Sequence, residues 1–262
     1  MQEEILTYFS TVFSILFLIL LFGIIMDFLE RLTLSYGVSM FGKKAMIFLS
    51  AYIGTPIHEL GHLLFAVIFG HTITSVQLVP TRKSLEQGYL GCVNHTYNKQ
   101  NFYQKFGNFF IGIGPMFSGP IVILIILKLL LPETYNVLYS QMIEIIQTNE
   151  SALGTFLMMV KAIFGMFTLS NLGNFKFYIF LFLSTNIAAH MGLSFEDVKH
   201  SVFSLIFLLV IIIIVAFMIP AFPGINISLV TIYSFLSAIF SLSIILSLIS
   251  FLFFRTLFII SH

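Results

Sequence analysis

Residues 5–26, ILTYFSTVFSILFLILLFGIIM, run from end to end without a charged side chain. A helix needs about 20 predominantly apolar residues to cross a bilayer, and this run, extending to residue 28, is long enough. Further runs of the same kind lie at 45–70, 107–131, 174–191, 201–220 and 226–254. With 58% hydrophobic and only 9% charged residues, the chain has too little polar surface to cover a soluble domain. In hydrocarbon every backbone N–H and C=O must be satisfied within the segment, which selects helices. The expectation is an all-α polytopic membrane protein with about six transmembrane helices. Residues 1–262 form a single integral membrane domain in which 201–262 makes a C-terminal helical hairpin.

The start, Met1-Gln2-Glu3-Glu4, lacks the basic region and small-residue cleavage site of a secretory signal, so the first run is expected to stay in the membrane. A further apolar run, 152–170, carries Lys161 near its centre. It is expected at the interface, across the membrane with Lys161 facing protein, or packed on the bundle. A formal net charge of +1 gives no basis for a nucleic-acid partner. The single cysteine, Cys92, excludes an internal disulfide framework and a cysteine-rich zinc knuckle. An Ile- and Phe-rich chain without long soluble regions suits a bacterial cytoplasmic membrane.

Between the second and third runs, TITSVQLV alternates and GYLGCVNHTY is rich in β-branched and aromatic residues. Two short strands around a turn follow, a β-hairpin-like insertion that lies outside the membrane or beside an active site. The positive-inside bias places the C-terminus inside by Arg255, the 191–200 segment inside by Lys199, and the acidic 132–150 loop outside. It also places both the first loop (Arg31, Lys43, Lys44) and the hairpin (Arg82, Lys83, Lys99, Lys105) inside. Those two demands conflict if the second run is a simple span, so either an element there is re-entrant or the charge rule fails locally.

The second run contains 58-HELGH-62. On a helix, positions i and i+4 share a face, so His58 and His62 can direct their imidazoles at one point. Neutral imidazole is a good zinc ligand, and Glu59 is placed to act as general base toward water. A bound cation also explains polar groups at membrane depth, since coordination offsets much of their desolvation cost. The alternative is polar residues satisfying each other in a bundle core or lining a conduction path. A random H-E-x-x-H occurs in roughly one chain in 150 of this composition.

Two histidines leave a tetrahedral site one protein ligand short. A third His six residues after the second is absent, because position 68 is Ile, and His71 lies too far along. The segment 184-STNIAAHMGLSFEDVKHS-201 concentrates Asn186, His190, Glu196, Asp197 and His200. Asp197 can be a ligand or the third residue of a capping box opened by Ser194, and His190 is the rival ligand.

H-E-x-x-H in a membrane helix, then a hairpin, then a helix containing Gly114-Pro115, then an Asn/Asp segment, resembles the site-2 protease family of intramembrane zinc metalloproteases. The resemblance covers roughly residues 45–200, a metalloprotease-like core. It implies that His58, His62 and Asp197 hold zinc (Zn2+) and that Glu59 activates water and passes its proton to the leaving amine. It also implies that Asn186 or His190 polarises the scissile carbonyl. The substrate implied is a membrane-anchored protein or peptide within the lipid bilayer, paired with the hairpin by strand addition. The family's Asn after Gly-Pro and its Leu-Asp-Gly are absent here. Other readings of the same histidines are a membrane-embedded metal transporter or sensor, a membrane zinc protease of the HtpX type, and a zinc enzyme acting on lipid-linked substrates.

Overall fold

A computed structural model describes residues 2–148, 151–192 and 229–261, and over them the chain is mostly helical with one small sheet. The order is α1 (Gln2–Met46), a π-turn (Ile47–Ala51), α2 (Tyr52–Ile68), β1 (Thr72–Gln77), α3 (Arg82–Glu86) and β2 (Cys92–Thr96). There follow α4 (Phe102–Ile113), α5 (Pro115–Leu130), α6 (Pro132–Thr148), α7 (Ala152–Phe164), α8 (Leu169–Leu172), α9 (Phe175–Ala188) and α10 (Leu229–Ser261). Two stretches, Phe9–Ile68 and Leu229–Ser261, are long and apolar enough to cross a membrane, and α4 with α5 makes a third if that bent pair is one span. The expected run at 201–220, and with it the first arm of the C-terminal hairpin, lies outside the described residues.

Phe9–Ile68 is 60 residues, about 90 Å of helix against a hydrocarbon core of about 30 Å. The break falls at Gly42, whose φ of 79° is open to glycine and strained for other residues. A Cβ on Gly37 would lie 2.6 Å from the sulfur of Met46, although nine residues of straight helix span about 13 Å. The chain therefore turns back at Gly42, with Lys43 and Lys44 just past the corner. Asp27, at the end of the first apolar run, lies well inside α1. The helix continues because its backbone bonds are internal, while Asp27 accepts from Arg31 one turn later at 2.9 Å.

The first and last helices run parallel. Phe22 stacks on Phe240 at 4.1 Å and Tyr36 meets Phe258 edge-on at 5.3 Å. Met26, Met116, Leu127, Phe177 and Phe180 fill the core between these helices, α5 and α9. The 132–150 stretch, expected as a loop, is helix α6 over Pro132–Thr148. Leu138, Met142, Ile145 and Ile146 form its buried stripe, a spacing of one helix face. The stretch is too polar for a membrane-run criterion, which is why hydropathy alone passes over it.

α2 ends in a Schellman motif: Gly70, at φ 68°, lets its N–H reach Val67 O and the His71 N–H reach Ala66 O. The strands then form as the alternation implied. They pair antiparallel from Thr72↔Thr96 to Gln77↔Cys92, with a bulge between Ile73 and Ser75. The hairpin does not project away from α2. A Cβ on Gly91 would fall 2.7 Å from Thr55 Cγ2 and 2.8 Å from Glu59 Cγ. Thr55 precedes the end of α2 by 13 residues, about 20 Å. The hairpin thus folds back along the helix, toward the end that carries Lys43 and Lys44. The hairpin that carries Arg82 and Lys83 therefore lies against α2 at Thr55 and Glu59 through Gly91.

The run at 107–131 is two helices, α4 and α5, bent by 54° at Gly114-Pro115. This corner sits on the motif helix. A Cβ on Gly61 would fall 2.6 Å from both Gly114 C and Pro115 N. The residue before the second motif histidine is therefore in backbone-to-backbone contact with α5. Gly61→Ala is expected to cost about 1–3 kcal/mol by overpacking, read as a lower unfolding temperature of the detergent-solubilised protein.

Candidate metal centre

His58 and His62 lie one turn apart on α2, with ring centroids 4.8 Å apart and Nε2 atoms 3.0 Å apart. Each ring is held from behind. His58 Nδ1–H donates to the His190 carbonyl and His62 Nδ1–H to the Ile111 carbonyl, both at 2.7 Å. These two acceptors are available for local reasons. Ile111 O would ordinarily accept from residue 115, but Pro115 has no N–H, and only the Gly114 N–H reaches it, at 3.2 Å. His190 lies past the end of α9, where helix carbonyls run out of donors.

A carbonyl can only accept, so both Nδ1 atoms carry the proton and both Nε2 atoms are left with lone pairs. Facing each other at 3.0 Å, the two Nε2 atoms can share a proton, with one ring an imidazolium, or, with both rings neutral, a metal ion. Both atoms can sit at the usual zinc–nitrogen distance of about 2.0–2.1 Å from one ion. Imidazoles oriented by a carbonyl on the far nitrogen are the usual outer-shell arrangement of metal-binding histidines. A second histidine pair provides the contrast. His71 Nε2–H donates to Gln104 O at 2.7 Å, so its Nδ1 accepts from His95 Nδ1–H at 2.8 Å. That pair is satisfied while neutral, and burial holds the His71 pKa below the usual histidine value.

Glu59 is buried, lies beside the hairpin, and faces a cavity of about 830 Å³ together with His58, His62, Thr55 and Asn108. Burial, and after it the Glu59 carboxylate, push the Cys92 thiol up, which places Glu59 in electrostatic reach of β2. Asp27, Glu30 and Arg31 of α1 also line this cavity. Their part in the cavity was not legible from sequence, because it depends on the reversal at Gly42.

The structure brings together His58, Glu59 and His62, and it places His190 beside them in an unexpected role. The His190 carbonyl orients His58, while its ring packs over Gly54 and donates from Nδ1 to Asn186 O at 3.0 Å. Asn186 turns its amide onto the Phe182 carbonyl of its own helix at 2.7 Å. Among the described residues, no group of three His, Cys, Asp or Glu side chains is arranged to hold a metal. Asp197, with Glu196 and His200, lies outside the described residues. Pro115 was the signal that could have located the His62 clamp in advance. Pro115→Ala returns an N–H to Ile111 O, and if His58 and His62 hold zinc it is expected to weaken that binding about 10–100-fold, as outer-shell changes do. Competition with a chromogenic chelator measures this.

Neither known protein families, nor curated proteins, nor solved structures provide a match to this chain.

Proposed function

We propose that this chain is an intramembrane zinc metalloprotease that hydrolyses peptide bonds of membrane-anchored proteins or peptides. The reading rests on one observation above the others: two imidazoles, each with its far nitrogen tied to a carbonyl, present facing Nε2 lone pairs next to a buried glutamate. His58 and His62 would hold the ion. Asp197 is assigned as the third ligand, in a segment the chain enters from Gly192, which lines the same cavity. Zinc, when bound, supplies Lewis acidity toward water and the scissile carbonyl.

The chain's own groups do the remaining work. Glu59 takes a proton from water as the water oxygen attacks the carbonyl carbon, and it returns that proton to the nitrogen as the C–N bond breaks. β2 lies along the cavity wall, where an unwound substrate could add as a further strand. The full arrangement would have about six spans in a bacterial cytoplasmic membrane, in keeping with the apolar runs.

The test is zinc analysis of the purified protein, with cleavage of single-span test proteins co-reconstituted in vesicles. Near-stoichiometric zinc and cleavage abolished by a chelator are expected. Cleavage that persists without metal removes the proposal.

A further inference from the structure

Two polar groups in the cavity wall have no role in the chemistry above. Thr55 Oγ1 and His190 Nε2 are both buried without a hydrogen-bond partner among the described residues, and both residues line the cavity that holds His58, Glu59 and His62. Leaving such a group unpaired is unfavourable, so each calls for an explanation.

Thr55 is unusual for a helical threonine. Thr185 of α9 donates to the carbonyl four residues back, Leu181 O, at 2.7 Å, as threonines in helices commonly do. Thr55 makes no such bond, and the turn before α2 is a π-turn. Its methyl group packs toward Gly91 of the hairpin. It lies four residues before Glu59, on the same face of α2. The His190 ring touches Gly54, the residue preceding Thr55, so both polar groups belong to one level of the helix. Because His190 Nδ1–H is committed to Asn186 O, its Nε2 can only accept. An acceptor cannot polarise a carbonyl, which argues against that role for His190. It can receive an N–H.

We infer that Thr55 and His190 form a subsite for one peptide unit of the substrate next to the scissile bond. The Thr55 hydroxyl donates to that unit's carbonyl, and His190 Nε2 accepts its N–H. The inference rests on the protease reading and deepens it: the substrate it selects is an extended backbone with a free amide at a fixed distance from the cut. A helical substrate, whose amides are bonded internally, is refused until it is unwound.

The experiment uses a synthetic single-span peptide that the reconstituted wild type cleaves, remade with an N-methyl group at each amide flanking the cut. Thr55→Val is expected to lower kcat/KM about tenfold and Thr55→Ser to retain it. N-methylation at one position is expected to lower wild-type kcat/KM about tenfold yet leave His190→Phe no worse than on the unmodified peptide. Zinc content unchanged in all three variants shows that the metal centre is intact. Equal kcat/KM for wild type, Thr55→Val and His190→Phe overturns the subsite, as does an N-methyl penalty that is the same in wild type and His190→Phe. Absence of any wild-type cleavage overturns the protease reading itself, and the subsite with it.

Discussion

Glu59→Gln is expected to keep its zinc and lose its activity. The amide has the shape of the carboxylate and fills the same buried place between α2 and Gly91, so the fold is not asked to change. It cannot take a proton from water, and proton transfer of this kind is worth about 10²–10⁴-fold in rate. Cleavage should fall by that factor while zinc content and unfolding temperature stay at wild-type values. The same variant separates an enzyme from a carrier of metal ions. A transporter would show altered metal affinity or flux, and neither form would cut a peptide bond. Wild-type cleavage rates in the variant would remove Glu59 as the base.

His58→Ala and His62→Ala should give the opposite pattern, loss of zinc together with loss of activity. Each removes one of two nitrogens 3.0 Å apart, and the remaining imidazole, still tied by its carbonyl, cannot hold the ion with one other protein ligand. Metal analysis should fall from near one zinc per chain to a small fraction of it in both variants. Full retention in both would mean that the ion, if present, sits elsewhere. Asp197→Ala should resemble them, whereas His190→Phe should keep its metal, since the contribution of His190 to His58 is a backbone carbonyl that the substitution leaves in place.

Some of this was legible in the chain and some was not, for physical reasons. The spacing of His58 and His62 specified a shared helix face, β1 followed from alternation and β2 from β-branched and aromatic content, because all three patterns are local. The break at Gly114-Pro115 was visible as residues, but its effect was not. That effect is an acceptor freed on Ile111 for a histidine on another helix. The Gly42 corner was hidden inside a long helical stretch, since one glycine does not announce a positive φ. Helix α6 escaped because an amphipathic helix and a polar loop share the same mean hydropathy. His190 was weighed as a side chain, and what the structure uses beside His58 is its carbonyl, a group every residue carries.

That dependence on distant carbonyls has a consequence for timing. The clamp on His62 comes from a residue 49 positions later, and the clamp on His58 from one 132 positions later. A chain emerging from the ribosome inserts α2, with its motif complete, long before α9 exists. Contacts of such separation form late, once the intervening loops have been closed. The His62 clamp can form once α4 has been made, whereas the His58 clamp waits for the residue that follows α9. On the proposed reading, competence to hold an ion arrives only with α9.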